Sequence, residues 1–95
     1  MCGIVGLFDP YLNKEKIIEK IKIANQSQFH RGPDDSGIFN SENTNFSHAM
    51  TRLSIIGIDE GKQPFLSEDG RYSLVLNGEI INYPELKKHL ISKGI

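Results

Sequence analysis

The feature that most constrains the fold of this chain is the apolar run that begins at Cys2, directly after the first methionine. Residues 2–8 are apolar or glycine at consecutive positions rather than at alternate ones. Because successive side chains of a strand point to opposite faces of a sheet, such a run predicts a strand that is buried on both faces. Asp9 and Pro10 follow it and predict its end.

Cys2 also has a chemical property that depends on its position. Removal of Met1 would make Cys2 the amino terminus and leave a thiol and a free α-amine on one residue. The amine can accept the thiol proton near neutral pH, directly or through water, so the residue would be a nucleophile with its own base. A lone cysteine more often packs as a small hydrophobe, and on position alone that interpretation is favoured.

The overall composition is that of one soluble domain with a modest core: 95 residues, 38% of them hydrophobic, and a formal net charge of -1. The 11 basic and 12 acidic residues are nearly balanced, so no basic surface for nucleic acid or anionic lipid is expected. One cysteine cannot form an internal disulfide, and no stretch of about 18 apolar residues could span a bilayer. We therefore expect no nucleic-acid partner, no membrane association and a cytoplasmic location.

Segments of helical and strand-like character predict a mixed α and β fold. Apolar residues at helical spacing over 14–28 predict an amphipathic helix that covers a sheet. Strands are predicted at 38–40, 45–50, 52–58 and 72–76. A capping box at 82–85 predicts the start of a second helix, which Gly94 would end.

The polar segment 29–37 lies between the first helix and a strand, so it is predicted to be a loop. Loops with this much polar chemistry are often functional. The simplest interpretation of the segment is structural, with a turn at Pro33 and Asp34 and an ion pair between Arg31 and Asp34 or Asp35.

The pair Asn77-Gly78 follows the predicted strand 72–76 and permits two interpretations. Asn-Gly is the strongest short signal for a two-residue hairpin turn, and on the pair alone the turn is favoured. The same pair can instead point a side-chain amide and a backbone N–H at one oxygen atom, which is what a tetrahedral oxyanion requires.

Five motifs together resemble one enzyme family. In chain order they are Cys-Gly-Ile-Val-Gly at 2–6, His-Arg-Gly-Pro-Asp at 30–34, Arg-Leu-Ser-Ile-Ile at 52–56, Gly-Lys-Gln-Pro at 61–64 and Asn-Gly-Glu-Ile at 77–80. Their order and their spread over essentially the whole chain are similar to the class II glutamine amidotransferase domain. They most resemble the amino-terminal glutaminase domain of glutamine-hydrolysing asparagine synthetase. The combination is far more specific than any single motif and favours the catalytic interpretation of Cys2.

This resemblance implies a fold and a reaction. The fold is the N-terminal nucleophile hydrolase fold, an α+β arrangement of stacked antiparallel sheets between helical layers. In the implied reaction the Cys2 thiolate attacks the side-chain amide carbon of L-glutamine, and the α-amine passes the proton to the leaving ammonia. Water then hydrolyses the glutamyl thioester to glutamate. Asn77 and Gly78 would form the oxyanion hole.

The resemblance also assigns residues to glutamine. Arg52 would hold the α-carboxylate, a task that suits the planar, two-pronged guanidinium. Leu53 and Ile55 would line the pocket, and Glu79 would meet the α-amino end of the substrate.

The remaining expectations concern the first loop and metal binding. Arg31, Gly32 and Asp34 are expected to order the first loop. The histidines at 30, 48 and 89 are widely separated and show no metal-ligand spacing, so no metal is expected.

The chain departs from the family pattern in its extent and at single positions. It has Gly57 where an acidic residue is usual and Ile81 where an aromatic residue is common. The later strand whose aspartate binds the α-amino group in the family has no counterpart within 1–95. We therefore expect residues 1–95 to be the amino-terminal part of a glutaminase domain, with the rest of the domain and the synthetase domain absent.

Cofactors and partners follow from the same resemblance. No cofactor is expected in this segment, whereas ATP and Mg would act only in the absent synthetase domain. The expected partners are L-glutamine and an ammonia-accepting synthetase domain or subunit. Exposed sheet edges make a homo-oligomer a further expectation.

Two alternatives to the asparagine-synthetase-like assignment stay open. The first is the glutaminase part of another class II amidotransferase, one that makes amino sugars or phosphoribosylamine. The second is a binding or assembly module without turnover. Retention of Met1 would favour the second, because a blocked terminus cannot act as the base.

Overall fold

The computed structural model describes residues 2–53 and 62–95, which form two antiparallel sheets and two α-helices. The larger sheet has the strand order β1-β3-β2, and the smaller sheet pairs β4 with β5. The strands are β1 (Gly3–Phe8), β2 (Asp35–Asn40), β3 (Phe46–Arg52), β4 (Phe65–Leu66) and β5 (Ser73–Leu74). The helices are α1 (Lys14–Ser27) and α2 (Tyr83–Ser92), and a short 3₁₀ helix (Phe29–Arg31) follows α1. The predicted α+β character with antiparallel sheets is confirmed.

Helix α1 covers one face of the larger sheet, as predicted. It begins at Asn13, whose side-chain oxygen accepts a hydrogen bond from the Lys16 N–H at 2.8 Å. Ile17 and Ile21 are fully buried beneath it, which is the core expected of an amphipathic helix on a sheet. Asn25 is buried on the same side, and its Nδ2 donates to Oγ of Ser36 in β2 at 2.7 Å. A polar contact thus joins the helix to the sheet beside the apolar core.

The pairing register assigns each residue of the central strand β3 to one face of the sheet. Thr51 pairs with Gly3 of β1 and with Ser36 of β2, and directly opposed residues share a face. Thr51 faces α1, because its hydroxyl donates to the carbonyl of Gln28 at 3.3 Å. His48, Met50 and Arg52 therefore lie on the opposite face.

The prediction that the first strand is buried on both faces is wrong for this structure. Ile4 and Phe8 lie on the face opposite α1 and are 49% and 64% exposed. The physical reason is that the second layer, which contains Pro64 and the smaller sheet, makes its described contacts with the other two strands of the larger sheet. Ser73 contacts His48 of β3, and Pro64 approaches Gly37 of β2.

The second layer approaches the larger sheet most closely at Gly37. A Cβ placed on Gly37 would lie 3.0 Å from Cδ of Pro64 and would overlap the carbonyl of Gln63. The absence of a side chain therefore lets residues 63 and 64 pack directly on β2. The Gln63–Pro64 peptide bond is cis.

Several predicted boundaries differ from those observed. The predicted loop 29–37 contains the 3₁₀ helix and the beginning of β2 at Asp35. The predicted strand 45–50 continues through Arg52, because β1 pairs with it as far as Thr51 and β2 as far as Arg52. The predicted strand 72–76 is limited to Ser73–Leu74, and the strand predicted at 52–58 falls largely outside the described residues.

Helix α2 begins and ends where the sequence predicts, but without the predicted cap. The side chain of Asn82 makes no capping hydrogen bond, because its backbone has φ -96° and ψ 27° rather than the extended conformation of a capping residue. Gly94, with φ 80°, ends the helix as predicted. Within the described ranges, neither helix has the length and apolar content needed to cross a bilayer.

Candidate active site

Two side chains that are distant in sequence converge on the backbone carbonyl of Cys2. Nδ2 of Asn77 donates to this oxygen at 3.0 Å, across 75 positions of sequence. Nε of Arg31 donates to the same oxygen at 3.1 Å. Arg31 ends the 3₁₀ helix, whereas Asn77 lies just beyond β5. The structure thus brings the predicted nucleophile residue and the predicted oxyanion residue into direct contact.

Cys2 lies immediately before β1, and its thiol is free and partly exposed. The terminal pair of β1 and β3 at this end is Gly3 with Thr51, so extending this register by one position puts Cys2 opposite Arg52. Both residues then lie on the face opposite α1, because side chains alternate along a strand. The predicted removal of Met1 concerns a position outside the described residues.

Arg52 is the last residue of β3 and is only 9% exposed. Its Nη1 lies 3.9 Å from Oδ2 of Asp35, the residue opposite it on β2. This separation is too long for a hydrogen bond but short enough for electrostatic attraction. The sequence predicts an ion pair between Arg31 and Asp34 or Asp35. Register, which a local pattern does not contain, brings Asp35 to Arg52 instead.

The loop after the 3₁₀ helix packs on the backbone of Arg52. The N–H of Asp34 donates to the Arg52 carbonyl at 3.0 Å. A Cβ on Gly32 would lie 2.6 Å from the backbone N of Arg52 and 2.5 Å from its carbonyl carbon. Gly32 and Asp34 therefore contact the strand end that carries Arg52, while Arg31 contacts Cys2.

Two concave surfaces flank these contacts. One, of about 420 Å³, is lined by His30, Arg31, Pro33 and Leu53, and its volume is in the range of small-molecule sites. Arg31 connects it to the carbonyl of Cys2.

The second surface, of about 550 Å³, is lined by Leu76, Glu79, Ile80, Ile81 and Tyr83. The predicted glutamine residues Leu53 and Glu79 therefore line different surfaces. Ile55, the third predicted pocket residue, lies outside the described residues.

The structure excludes one of the two interpretations of Asn77-Gly78. In the described chain no strand follows the pair before α2, so the hairpin interpretation is wrong. The hairpin turn lies instead between β4 and β5, where Gly70 has φ 71° and its N–H donates to the carbonyl of Ser67. Gly78 has φ 156°, a backbone conformation that a side chain would strain.

The sequence alone indicates no role for Gln63, although Gln63 lies in one of the five motifs. The side-chain amide of Gln63 forms two hydrogen bonds with the backbone of Leu76, the residue before Asn77. Its place in the Gly-Lys-Gln-Pro motif is the sequence feature that could have singled out Gln63.

One histidine has a perturbed pKa close to the site. Burial lowers the pKa of His48, which lies on the same face of β3 as Arg52. Within residues 2–53 and 62–95, no three His, Cys, Asp or Glu side chains are grouped to hold a metal ion. The expected absence of a metal stays a prediction.

Comparison with known proteins gives consistent relatives. A family model described as a glutamine amidotransferase domain matches residues 1–95. Asparagine synthetase [glutamine-hydrolyzing] 1 of Bacillus subtilis is 45% identical over 99% of this chain and 15% of its own length. Asparagine synthetase B [glutamine-hydrolyzing] of Escherichia coli is 37% identical over 92% of this chain and 15% of its own length. A probable asparagine synthetase [glutamine-hydrolyzing] of Dictyostelium discoideum is 36% identical over 99% of this chain and 16% of its own length.

The chain thus spans about 15% of the length of these curated relatives. No solved structure gives a significant match. The family match, by contrast, extends over all 95 residues and includes every residue of the candidate site. This chain belongs to the glutamine amidotransferase domain family.

Proposed function

We propose that this chain hydrolyses the side-chain amide of L-glutamine, with Cys2 as the nucleophile. The observation that carries the proposal is the convergence of Asn77 and Arg31 on the carbonyl of Cys2. These two contacts join three of the five family motifs at one residue. Within a glutamine amidotransferase domain, such a junction is expected at the reacting centre rather than at a purely structural contact.

In the proposed reaction the amino terminus supplies the base. After removal of Met1, the α-amine of Cys2 takes the thiol proton, and the thiolate attacks the amide carbon of glutamine. The amine then gives the proton to the leaving ammonia, and water hydrolyses the glutamyl thioester to glutamate. Neither step needs a histidine.

Asn77 and Gly78 are proposed to stabilise the tetrahedral intermediate. A side-chain amide nitrogen carries two hydrogens, and the bond to the Cys2 carbonyl uses one of them. The second N–H, together with the backbone N–H of Gly78, would donate to the oxyanion formed next to Sγ. Loss of one such donor typically lowers kcat by about 10²–10³.

Arg52 is proposed to bind the α-carboxylate of glutamine. It lies at the end of β3, opposite the position that an extension of the β1–β3 register gives to Cys2, and Asp35 beside it balances its charge. Burial strengthens a charge-assisted pair, because less water competes for the guanidinium. Leu53 and Ile55 as pocket residues, and Glu79 as a contact to the α-amino group, remain part of the proposal.

The wider context of the reaction is also proposed. Residues 1–95 would be the amino-terminal part of a domain with the N-terminal nucleophile hydrolase fold, which the packing of a second antiparallel layer opposite α1 supports. The ammonia would pass to an asparagine-synthetase-type acceptor, since the relatives are named glutamine-hydrolysing asparagine synthetases. ATP and Mg would act only in that acceptor, and a cytoplasmic location and a homo-oligomer are proposed as well.

The test is intact mass spectrometry of the purified protein before and after incubation with an electrophilic glutamine analogue. We expect the loss of Met1 and a single adduct on Cys2 that excess glutamine suppresses and that is absent in Cys2→Ala. Iodoacetamide, which needs only an accessible thiol, serves as the control reagent.

Two results would contradict the proposal. Retained Met1 without an adduct would favour a module that binds or assembles without turnover. Processed protein that reacts with iodoacetamide but not with the glutamine analogue would exclude a glutamine pocket at Cys2.

A further inference from the structure

We propose that Gln63 is a positioning residue for the oxyanion site: its side-chain amide holds the backbone of Leu76 and thereby fixes Asn77 beside Cys2. The inference rests on the proposed glutamine hydrolysis, because it gives Gln63 a role in placing the donor of that reaction. It concerns a residue of the Gly-Lys-Gln-Pro motif to which the resemblance assigned no role.

The first observation is the paired contact between Gln63 and Leu76. The N–H of Leu76 donates to Oε1 of Gln63 at 2.7 Å, and Nε2 of Gln63 donates to the carbonyl of Leu76 at 3.2 Å. One planar amide thus satisfies both backbone polar groups of Leu76, as a neighbouring strand would. β5 ends at Leu74, so the sheet itself does not hold this residue.

The second observation is that the backbone of Gln63 is itself fixed, because it packs against β2. The Gln63 carbonyl and the ring of Pro64 pack on Gly37 of β2, where no Cβ could be accommodated. Gln63 is also half-buried. The side chain therefore extends from a fixed point on the larger sheet, not from a freely moving loop.

Together these contacts form a continuous path from the edge strand β2 to the predicted nucleophile. Gly37 of β2 supports Gln63, Gln63 holds Leu76, and Leu76 is bonded to Asn77, which donates to Cys2 ahead of β1. An oxyanion donor has to be in place before the reaction to be effective. Gln63 supplies that placement without touching the reacting atoms.

Glutamine suits this task because it has one donor and one acceptor on the same planar group. Methionine has a similar length but offers neither partner to Leu76. An ionised glutamate can only accept, so it would keep the bond from the Leu76 N–H but set a carboxylate against the Leu76 carbonyl. A protonated glutamate has one O–H donor and restores both bonds.

The test compares Gln63→Met and Gln63→Glu with the unsubstituted protein in steady-state glutamine hydrolysis between about pH 5 and pH 8. A displacement of about 1 Å at a reacting site can cost about 10²-fold. We therefore expect Gln63→Met to lower kcat by about ten- to a hundredfold at every pH, with KM changed less than kcat. We expect the activity of Gln63→Glu, relative to the unsubstituted protein, to rise as the pH falls and the introduced carboxylate is protonated.

Gln26→Met and Gln26→Glu are the matched controls, because Gln26 is exposed on α1 far from this path. Both should leave kcat, KM and their pH dependence unchanged. Melting temperatures of all four variants separate a local change from a loss of folded protein.

A second measurement does not depend on turnover. The side-chain NH₂ signals of Asn77, assigned by their loss in Asn77→Ala, should shift in Gln63→Met and stay in place in Gln26→Met. Unmoved Asn77 signals, or an unchanged kcat in Gln63→Met, would overturn the role of Gln63. Equal losses in Gln63→Met and Gln63→Glu at every pH would do so too. Shifted Asn77 signals in a protein that does not hydrolyse glutamine would instead contradict the proposed function and leave the positioning contact supported.

Discussion

Four residues at the candidate site act on backbone atoms of their neighbours. Arg31 and Asn77 donate to the carbonyl of Cys2, Asp34 donates to the carbonyl of Arg52, and Gln63 pairs with Leu76. Contacts of this kind fix where a residue lies without engaging its side chain. Cys2 is thus held at its carbonyl, while its thiol is free.

Gly32 packs so closely on the backbone of Arg52 that even a small substitution should be damaging. We expect Gly32→Ala to lower the free energy of unfolding by about 1–3 kcal/mol, because overpacking of a close contact forces the backbone to shift. The new Cβ would lie 2.5–2.6 Å from backbone atoms of Arg52, which cannot rotate away as a flexible side chain could. Urea denaturation followed by circular dichroism measures the change.

Gly6→Ala is the matched control for this substitution. A Cβ on Gly6 would lie 3.9 Å from its nearest neighbours, Cβ of His48 and the carbonyl of Ser47, which is ordinary van der Waals contact. Its stability should change by no more than about 0.5 kcal/mol. Equal destabilisation by both substitutions would show that the packing at Gly32 is not special.

At the scale of elements, the link between the two sheets depends on a histidine. Nε2 of His48 in β3 lies 2.5 Å from Oγ of Ser73 in β5. The rings of Phe46 and Phe39 lie 5.2 Å and 5.6 Å from the imidazole, centroid to centroid. Desolvation in this setting lowers the pKa of His48 below its usual value near 6.5.

This lowered pKa makes stability depend on pH in one direction. Well above pH 6.5 His48 is neutral in both the folded and the unfolded chain, so its contribution is fully present. As the pH falls below about 6.5, the unfolded chain binds the proton more readily, and the free energy of unfolding decreases until the folded-state pKa is passed. Urea unfolding at several pH values should show this decrease, and His48→Gln should reduce it. A slope that is unchanged in His48→Gln would refute the assignment.

Local patterns were sufficient for the elements whose packing is local. The 3.6-residue spacing of Ile17 and Ile21 predicts α1 and its buried face, and the apolar run at 2–8 predicts β1. The extent of β3 through Arg52 could not be predicted in this way, because pairing with two partner strands sets where it ends. The prediction that β1 is buried on both faces was wrong for the same reason. Burial of its second face depends on where the second layer lies, which a local pattern does not contain.

The contacts at the candidate site could not be predicted from the sequence, and the roles of its residues stay predictions. The resemblance to a family implies roles in glutamine hydrolysis for Cys2, Asn77 and Arg52, and all three lie within the matched residues. The contacts of Arg31 with Cys2 and of Asp35 with Arg52 were not predicted, because both depend on tertiary structure rather than on proximity in sequence. The contact between Asn77 and Cys2 joins opposite ends of the chain, so no window of sequence contains it.

At the scale of the whole molecule, the chain is less compact than a typical domain of its length. Its radius of gyration is 15.0 Å, whereas about 12 Å is expected for 95 residues. Much of the apolar surface lies on α2, where Leu86 and Leu90 are 43% and 45% exposed and Ile91 is 62% exposed. The core, by contrast, is concentrated between α1 and β3, where Ile17, Ile21 and Ala49 are fully buried.

This distribution predicts a gradient of local stability that hydrogen exchange can measure. We expect the amides of β3 to exchange slowest, because the strand is paired on both sides and its residues from Ser47 to Arg52 are buried. The amides of α2 should exchange orders of magnitude faster, since few buried apolar contacts hold the helix in place. A dilution series distinguishes the two possible sources of protection in α2. Protection as strong as in β3 at every concentration would contradict the exposed position of the helix, whereas protection that is lost on dilution would mean that a second copy covers its apolar face.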